Sequence, residues 1–384
     1  MQSSSQPNPF LSLPHIPVHV CVLWPTEEAA RNAPRGDFEL VVDPETGMAI
    51  NQLFDESLLG YGDGYENSLG FSEFFQGYLQ GFAKDLVERY SLKGKRVVEI
   101  GCGDANFLSL MIQHGAGSGV GFDPSYHEGQ PTSLEEGRVE IRREYFPPPD
   151  LSINADILVC RQVLEHVSDP LQFLKMIRSG LPKDHATTVV MEVPNFPPAL
   201  ARQTAWDMIY EHCTYFSAGS LARLLSKAGF NVIYAEETYA KQFVTVEATT
   251  NPNAIDRTPE FDDLVELEKG AAEFEAAWTR CKVDWKNRLE QANIQGKKVA
   301  IWGTGARGIN FLNLVDPERT IQCAVDINPR KYGLHVAGTG QVVSPPEALL
   351  EYRPDLVIII NPIYEQEIRN NLRNLGLNPE IAFA

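Results

Sequence analysis

The chain has 384 residues, of which 43% are apolar and 22% are charged, and its formal net charge is −18 at neutral pH. This length predicts two or three domains, because a single hydrophobic core stops growing at about 250–300 residues. The acidic balance argues against a nucleic-acid substrate, since phosphate contacts need clustered Lys and Arg side chains. No stretch reaches the roughly 18 consecutive apolar residues that indicate a membrane span.

The N-terminus and the cysteines indicate the cellular compartment. Residues 1–9 are polar and lack the charged and apolar regions of a secretory signal. The six cysteines are scattered and form no C-x-x-C pair: Cys21, Cys102, Cys160, Cys213, Cys281 and Cys323. This spacing provides neither a disulfide framework nor a four-cysteine zinc site, and it is typical of a reducing compartment. We therefore predict a cytoplasmic protein with no metal site.

Residues 1–70 predict a small, irregular N-terminal domain, because prolines are frequent and periodic segments are few. Two short strands are predicted within it, at Val18–Leu23 and Phe38–Val42. An amphipathic helix is predicted over residues 71–90, where it leads into the next domain.

Residues 71–250 alternate short apolar segments with helical patterns. The predicted strands are Arg96–Ile100, Gly119–Phe122, Ile157–Cys160, Thr187–Val193, Asn231–Glu236 and Phe243–Ala248. The predicted helices lie near residues 104–114, 169–180 and 217–228. This alternation predicts an α/β domain whose mostly parallel sheet has helices on both faces.

The remainder of the chain predicts a helical connector and a second α/β domain. A break rich in Pro, Asn and Asp precedes one or two long helices over residues 260–293, so residues 251–295 form the connector. Residues 296–384 contain another strand–turn–helix unit. Its predicted strands are Lys298–Trp302, Ile321–Asp326 and Leu356–Ile360, with a helix that ends near Asn313.

The most informative segment is residues 97–104, which read Val-Val-Glu-Ile-Gly-Cys-Gly-Asp. An apolar strand ends here in Glu99-x-Gly101-x-Gly103, and the next strand closes on Asp123. In open α/β sheets such glycines let the backbone approach an adenosine-type ligand, and the acidic residue accepts hydrogen bonds from the ribose hydroxyls. This pattern predicts a nucleoside-binding site at the carboxyl edge of the sheet.

Two details indicate which nucleoside binds. A dinucleotide fingerprint needs a third glycine, so that the pyrophosphate can lie on the helix N-terminus, and Asn106 stands in that place. Glu99 adds a negative charge that would repel a pyrophosphate but suits the ammonium and sulfonium groups of S-adenosylmethionine (SAM). The segment Asp156–Cys160, followed by Gln162–His166, adds a further strand tip at the same edge. We therefore predict a SAM-dependent methyltransferase, and we expect His166 to pack against or hydrogen-bond the adjacent loop.

Residues 206–217 concentrate titratable and hydroxyl side chains between an apolar strand and a helix. His212 is the candidate general base, Glu211 the candidate group that orients it, and Tyr210 the candidate donor to a developing oxyanion. Adjacent residues of an extended segment point to opposite faces, so Glu211 and His212 cooperate only if the backbone turns there. The alternative is a structural helix entry, made of an aromatic pair and an N-cap residue: Tyr215, Phe216 and Ser217.

A second glycine turn, Gly303-Thr-Gly305-Ala-Arg307-Gly308, matches a dinucleotide fingerprint more literally, with Asp326 at the tip of the next strand. Arg307 beside this turn would suit a diphosphate group. The turn predicts a nicotinamide-dinucleotide site, a site for another phosphate ligand, or a Rossmann-like unit that uses the glycines for packing.

Together these motifs resemble a known family along the whole chain, the three-part SAM-dependent C-methyltransferases that act on nucleotide-linked deoxy-keto-sugars. The matching segments run in the family's order and are Val22–Pro25, Pro34–Asp37, Tyr65–Leu69, Glu99–Asp104, Gly121–Ser125, Glu211–Ser217 and Trp302–Gly308. Two features depart from the family pattern. Asp43 and Thr46 stand where cysteines would bind zinc in the family, so we expect no zinc. Tyr210–His212 also lacks one histidine of the family's Tyr-His-Glu-His run.

The resemblance implies a fold, a cofactor and a site. The fold is α/β, with a class I SAM-methyltransferase Rossmann-like domain, a second Rossmann-like C-terminal domain, and a small irregular N-terminal domain. SAM would contact Glu99, Gly101, Gly103, Asp123, Asn67 and Ser68. The acceptor would contact Gly303, Gly305, Arg307 and Gly308. Catalysis would depend on His212 as base, Tyr210 as donor, Glu211 as orienting group, and Tyr65 as pocket wall or second donor.

We therefore expect C-methylation next to a ketone, through an enolate, on a small molecule such as a nucleotide-sugar intermediate of natural-product biosynthesis. An O- or N-methyltransferase of a small metabolite is an alternative that would use the same SAM site. An NAD(P)-dependent oxidoreductase built on Gly303–Gly308 is the alternative from another class, and a non-catalytic scaffold is a third. No nucleic-acid or membrane partner is expected, and the oligomeric state is left open.

Overall fold

A computed structural model of the chain describes residues 8–59, 70–126, 129–146, 153–255 and 263–384. Within these ranges the strands form three sheets, which contain four, eight and five strands. Among the residues so described, no helix combines the length and the apolar character needed to cross a lipid bilayer.

The N-terminal region forms strands of a small antiparallel sheet. Its elements are β1 (Leu11–Pro17), α1 (Glu27–Arg31), β2 (Arg35–Val42) and β3 (Ala49–Asn51). The prediction of a strand at Val18–Leu23 is wrong, because the strand lies earlier and contains two prolines. An edge strand tolerates proline, and the β1–β2 pairing shifts register between Leu13 and Ile16. Val18 and Val20 are fully buried, but they lie in irregular backbone.

The central region contains the helices and strands of the first α/β domain. Its elements are α2 (Glu73–Arg89), β4 (Arg96–Ile100), α3 (Asn106–Gln113), β5 (Ser118–Phe122), β6 (Ser133–Leu134), β7 (Val139–Arg142), β8 (Ile157–Arg161), α4 (Pro170–Gly180), β9 (Thr188–Pro194), α5 (Pro197–Arg202), β10 (Thr214–Tyr215), α6 (Ala218–Lys227), β11 (Asn231–Thr238) and β12 (Phe243–Thr249). Every strand and helix predicted here is present within about two residues of its predicted ends. The Ser217 and Ser220 side chains form a capping box at the start of α6, as predicted for the N-cap.

The central sheet has the strand order β11-β12-β9-β8-β4-β5-β7-β6. Strands β7, β5, β4, β8 and β9 run parallel, whereas β12 is antiparallel to both β9 and β11. The chain leaves β4 toward β5 on one side and later returns to β8 on the other, so the strand order reverses beside β4. Open α/β sheets bind ligands at the carboxyl ends of the strands at such a reversal. The turn that follows β4 therefore lies in the binding crevice of the sheet.

Helices cover both faces of the central sheet, as predicted. Val97 on β4 packs in the core that contains α2 and α3. Its neighbour Val98 packs in the core that contains α4 and α6. Successive residues of a strand point to opposite faces, and this alternation places the Glu99 side chain on the α2–α3 face.

The C-terminal region contains one long helix and a second α/β sheet. Its elements are α7 (Leu264–Ile294), β13 (Val299–Trp302), α8 (Ala306–Val315), β14 (Cys323–Val325), β15 (Val343–Ser344), α9 (Leu349–Tyr352), β16 (Leu356–Ile359), α10 (Glu365–Asn374) and β17 (Glu380–Phe383). The sheet order is β15-β14-β13-β16-β17 and all neighbours are parallel. A parallel sheet with the first βα turn near its centre is the Rossmann-like plan that the sequence predicts.

One hydrophobic core joins the N-terminal sheet, α7 and the C-terminal domain. It contains Phe38 of β2, Phe274 of α7 and Phe311 of α8. Trp206, from the loop after α5, packs against Phe311 with ring centroids 5.2 Å apart. Strand β10 of the central region also pairs with β3 of the N-terminal sheet. The segment that contains residues 205–215 is therefore packed between the N-terminal and C-terminal parts of the molecule.

Candidate active site

The glycine turn after β4 provides backbone that a ligand can approach. Gly101 has a φ of +70°, and a Cβ atom there would lie 2.1 Å from Cγ2 of Val163, so a larger residue is excluded. Gly103 has a φ of +53°, and no atom of the described residues lies within 4 Å of the position of its Cβ. Open space therefore adjoins the second glycine, which is where the sequence predicts the nucleoside.

Asp123 links the tip of β5 to this turn. Its Oδ2 atom accepts a hydrogen bond from the Gly103 amide at 2.8 Å. Its Oδ1 atom accepts from the Ser125 amide at 2.8 Å and from the Ser125 hydroxyl at 2.6 Å. Each carboxylate oxygen has two acceptor positions, so Oδ2 can still accept a hydrogen bond from a ribose hydroxyl. The predicted ribose-binding residue is thus fixed in position by the predicted glycine turn.

Glu99 is a buried carboxylate at the base of the same turn. It is 2% exposed, and its Oε2 atom has no hydrogen-bond partner among the described residues. Burial raises the pKa of Glu99 to about 8, and the nearby carboxylates of Asp104 and Asp123 act in the same direction against Arg161. A cationic group bound here, such as the ammonium of SAM, would stabilise the ionised carboxylate and lower this pKa.

A buried ion pair at the tips of β8 and β9 was not predicted from the sequence. The Arg161 guanidinium donates to Oε1 of Glu192 at 3.0 Å and stacks over the Phe107 ring, 4.3 Å from its centroid. Gln162 and the Tyr78 hydroxyl also bond the Glu192 carboxylate. The available signal was Arg161 at the end of one apolar strand and Glu192 near the end of the next, because such strand ends meet at one sheet edge.

His212 forms a perpendicular pair with His166. The two ring centroids are 4.7 Å apart. Nδ1 of His166 lies 2.9 Å from the main-chain carbonyl oxygen of Glu211, so His166 hydrogen-bonds the adjacent loop as expected. Burial lowers the pKa of both imidazoles, and His166 and Arg307 lower the pKa of His212 further. A half-buried imidazole whose pKa is lowered in this way is unprotonated at neutral pH and can accept a proton, as a general base must.

The Glu211 carboxylate is directed to the N-terminal region. Its Oε2 atom accepts a hydrogen bond from the Val20 amide at 3.3 Å, and Oε1 lies 3.8 Å from Nδ1 of His19. The main-chain carbonyl of the same residue holds His166. The role of Glu211 in orienting His212 stays a prediction, and the observed connection runs through this carbonyl and His166.

Tyr210 is almost fully buried below the N-terminal sheet. A Cβ atom at Gly36 would lie 2.5 Å from the Tyr210 ring, so Gly36 makes room for it. The Tyr210 hydroxyl accepts a hydrogen bond from the Asp55 amide at 3.1 Å. Its own proton remains available for donation, and the proposed donor role of Tyr210 stays a prediction. Tyr65, Asn67 and Ser68 lie outside the described residues.

Tyr215 closes the loop of residues 209–215. Its hydroxyl accepts a hydrogen bond from the Ile209 amide at 2.8 Å and donates to the Ile209 carbonyl at 2.8 Å. The His212 amide bonds the same carbonyl at 3.0 Å. These bonds fix the backbone turn that carries His212, a role that the sequence analysis did not assign to Tyr215.

Glu165 is a further buried acid next to the imidazole pair, and the sequence analysis missed it. It is 2% exposed, and burial raises its pKa to about 8. One polar atom each of Glu165, His166 and His212 lie within 4.8 Å of one another. The sequence contains Glu165 and His166 as neighbours, but their proximity to His212 depends on the tertiary fold.

The second glycine turn packs α8 closely on its sheet. A Cβ atom at Gly308 would lie 2.0 Å from the Gly303 carbonyl oxygen. Asp326 is buried, and its Oδ2 atom accepts from the Thr304 amide and hydroxyl at 2.9 Å each and from Nζ of Lys331 at 3.0 Å. The carboxylate that would bind a ribose in a dinucleotide site is therefore engaged by its own domain.

Arg307 connects the second turn to the methyltransferase side of the molecule. Its Nε atom lies 2.6 Å from Oδ1 of Asp207, and Nη1 donates to Oε1 of Gln242 at 2.6 Å. Asp207 precedes the loop that carries His212 in the chain. The predicted contact of Gly303, Gly305, Arg307 and Gly308 with the acceptor stays a prediction.

Two models of protein domains match the chain. Residues 75–235 match the model of a methyltransferase domain, and residues 247–378 match the model of a C-methyltransferase C-terminal domain. Together with the strand order, these matches confirm the predicted class I SAM-methyltransferase fold and the predicted methyltransferase domain.

Curated relatives match smaller parts of the chain. A tRNA U34 carboxymethyltransferase of Dichelobacter nodosus is 27% identical over 168 residues, which are 42% of this chain and 52% of that protein. A ubiquinone biosynthesis O-methyltransferase of Coxiella burnetii is 30% identical over 96 residues, which are 24% of this chain and 41% of that protein. The chain thus spans about half the length, or less, of these relatives.

Solved structures are similar over about half of the chain. A SAM-dependent methyltransferase from Mesorhizobium loti has 17% identity and a TM-score of 0.35. The match covers 44% of this chain and 99% of the Mesorhizobium loti chain. Magnesium protoporphyrin IX methyltransferase from Synechocystis, with bound SAH, has 16% identity and a TM-score of 0.37. The match covers 50% of this chain and 91% of the Synechocystis chain.

Proposed function

We propose that the protein is a SAM-dependent C-methyltransferase that methylates the carbon next to a ketone in a small molecule. The observation that carries the proposal is the position of His212, whose half-buried imidazole packs against His166 with ring centroids 4.7 Å apart and whose pKa is lowered by burial and by the nearby His166 and Arg307. Removal of a proton from carbon needs a base of this kind, whereas methylation of an amine does not. The match to a C-methyltransferase C-terminal domain supports the same reaction.

SAM is proposed to occupy the crevice beside β4. Gly101 and Gly103 would leave room for the nucleoside, Asp123 would accept hydrogen bonds from the ribose, and Glu99 would compensate the ammonium charge. The partnerless Oε2 atom of Glu99 supports this last role, because a buried acceptor without a hydrogen-bond partner is costly and the ammonium of SAM could donate to it. Asn67 and Ser68 would close over the methionine end of the cofactor.

His212 is the proposed base of the reaction. Its imidazole would take the α-proton of the ketone, and the electron pair of the broken C–H bond would form the enolate. The enolate carbon would then form a bond to the methyl carbon of SAM as the C–S bond breaks, and the pair from that bond would neutralise the sulfonium in S-adenosylhomocysteine. General-base catalysis by a positioned side chain typically contributes about 10²–10⁴-fold. His166 and Glu211 would hold this imidazole in place.

The enolate oxygen requires a hydrogen-bond donor. Tyr210 is the proposed donor, with Tyr65 as a second donor or a wall of the pocket. Donors that face a developing oxyanion stabilise the transition state more than the ground state. The buried hydroxyl of Tyr210 keeps its proton, because burial raises its pKa.

The C-terminal turn is the proposed contact for the distal part of the acceptor, such as the diphosphate of a nucleotide-linked keto-sugar. Arg307 uses two of its donors on Asp207 and Gln242, and a guanidinium has five N–H donors. Its remaining donors, with the backbone of Gly303, Gly305 and Gly308, could bind phosphate oxygens at the start of α8. An intermediate of natural-product biosynthesis would be such an acceptor.

The N-terminal domain is proposed to need no structural zinc. The turn that contains Asp43 and Thr46 is held by hydrogen bonds, since Asp43 accepts from both the amide and the hydroxyl of Thr46. The Arg223 side chain binds the Thr46 carbonyl at 2.8 Å. Cys102, Cys160, Cys213, Cys281 and Cys323 are free thiols, which supports a cytoplasmic location.

O-methylation of a small metabolite is the second candidate, favoured by the relative named as an O-methyltransferase. It would use the same SAM site, and His212 could deprotonate a hydroxyl. Oxidoreduction with NAD(P) is disfavoured, because Lys331 forms an ion pair with the Asp326 carboxylate that would bind the ribose, whereas no such ion pair is seen at Asp123 among the described residues.

The test uses SAM labelled with ¹³C in its methyl group. The full chain is incubated with a panel of keto-sugar nucleotides and small keto-metabolites, and products are found by mass spectrometry and then examined by NMR. A methyl carbon bonded to carbon supports the proposal, whereas a methyl bonded to oxygen or nitrogen supports the second candidate. Tight binding of NADH without binding of SAM would contradict both.

A further inference from the structure

Three potential metal ligands meet beside the proposed SAM crevice, although the sequence predicts no metal site. Glu165 and His166 follow β8, and His212 lies in the loop of residues 209–215. One polar atom from each lies within 4.8 Å of the other two. Three atoms at this spacing have a common centre at most about 2.8 Å from each, and bonds of zinc to nitrogen or carboxylate oxygen measure about 2.0–2.2 Å. A shift of less than about 1 Å by each side chain would therefore complete the coordination.

The surroundings of His166 prepare it to bind an ion. Its Nδ1 atom is bonded to the Glu211 carbonyl at 2.9 Å, which requires a proton on Nδ1 and leaves the lone pair on Nε2. Histidines that bind metals commonly donate their other N–H to a carbonyl or carboxylate in this way, which fixes the tautomer and the ring.

Glu165 supplies an uncompensated buried acid. It is 2% exposed, and its Oε2 atom has no hydrogen-bond partner in the described part of the chain. Among those residues no lysine or arginine forms an ion pair with it. A buried oxygen atom without a hydrogen-bond partner is costly, and a divalent ion coordinated by Oε2 would satisfy it.

We propose that Glu165, His166 and His212 bind a divalent transition-metal ion, with Zn²⁺ as the best fit, and that this ion inhibits the enzyme. Two imidazoles and one carboxylate match the three-ligand zinc sites that keep an open position. Magnesium and calcium prefer oxygen ligands and fit less well. The ion would occupy the lone pair of His212, which could then no longer accept a proton from the acceptor. This second part depends on the proposed role of His212 as base, whereas the metal site does not.

The first experiment measures metal binding without SAM or an acceptor. The full chain is treated with EDTA, desalted, and titrated with zinc sulfate by calorimetry, and the Zn²⁺-loaded protein is examined by X-ray absorption. We expect one ion with nitrogen and oxygen ligands that include two imidazoles. Glu165→Gln keeps the size of the side chain and should weaken binding by at least about 100-fold, more than loss of an outer-shell partner does.

His185→Gln is the matched control. Nδ1 of His185 lies 3.4 Å from an oxygen of Asp184 at the surface, so this variant removes a histidine beside a carboxylate away from the cluster. Its Zn²⁺ affinity should equal that of the wild type. Unchanged affinity in Glu165→Gln, absence of binding, or sulfur among the ligands would overturn the metal site. If Glu165→Gln loses its native circular dichroism, the absorption spectrum of the wild type still decides.

The second experiment tests inhibition once an acceptor has been found. Zn²⁺ should stop methyl transfer in the wild type, and EDTA should restore it. Zinc binding at the cluster with undiminished methyl transfer would refute the inhibitory part alone. Zinc binding in a protein that transfers no methyl group to any acceptor would leave the metal site intact and count against the proposed function.

Discussion

The replacement Tyr215→Phe tests whether one hydroxyl fixes the loop that carries His212. The variant keeps the aromatic ring, which packs on Phe196 with centroids 5.6 Å apart. It removes the hydroxyl that accepts from the Ile209 amide and donates to the Ile209 carbonyl. The carbonyl keeps a bond from the His212 amide, whereas the Ile209 amide has no other partner among the described residues.

The magnitude follows from these bonds. One neutral hydrogen bond contributes about 0.5–1.5 kcal/mol, and an amide left without a partner costs about 1–3 kcal/mol. Ile209 is half-buried, so water compensates part of the loss, and we expect a total near 2 kcal/mol. Because about 1.4 kcal/mol is a factor of ten, local opening of the loop should become about 30-fold more frequent.

Amide hydrogen exchange measured by mass spectrometry checks this expectation on a peptide that covers residues 209–215. Tyr210→Phe is the matched control, since its hydroxyl makes one bond, to the Asp55 amide. That variant should cost about 1 kcal/mol. Exchange in residues 209–215 of Tyr215→Phe that is no faster than in the control would refute the view that Tyr215 closes the loop.

Three further predictions concern the cofactor and the base. His212→Ala should lower turnover by at least about 100-fold while the affinity for SAM changes little, and wild-type turnover would remove His212 from the mechanism. Asp123→Asn should weaken SAH binding, measured by calorimetry, by about 10–100-fold, since one charge-assisted bond of about 1.5–3 kcal/mol is lost; equal affinity would count against the ribose contact. Because the folded-state pKa of Glu99 is raised to about 8, its contribution to stability is present at acid pH and is lost as the pH rises toward 8. The loss amounts to about 1.4 kcal/mol of unfolding free energy per pH unit. Glu99→Gln should lack it when unfolding free energies are taken from melting curves at several pH values. If the pH profiles of the variant and the wild type run parallel, the expectation is contradicted.

The central sheet could be predicted from the sequence because its signals are local. Val97, Val98 and Ile100 form a short apolar run, glycines follow it, and Ser217 caps the helix α6. Each pattern depends on residues within one strand or one helical turn. The strand β1 was missed for the same reason, since its two prolines locally indicate a loop while the pairing with β2 is a tertiary contact.

The candidate site could be predicted in part. The proximity of Asp123 and Gly103 could be predicted because strand tips of a parallel sheet meet at one edge, whereas their contact with SAM stays a prediction. Glu165 was missed, since its proximity to His212 joins segments 47 positions apart (212 − 165), and no pattern in either segment indicates the other. The direction of the Glu211 carboxylate could not be derived either, because it depends on how the N-terminal sheet packs.

The position of His212 depends on all three parts of the molecule. The N-terminal region bonds Tyr210 through the Asp55 amide. The central domain holds the Glu211 carbonyl through His166, and the C-terminal domain binds Asp207 through Arg307. On the proposed mechanism, the base is positioned by the assembly of the domains, and a change in the C-terminal turn should alter proton abstraction without contacting the proposed SAM crevice. This arrangement explains physically why a methyltransferase domain would be combined with a second α/β domain.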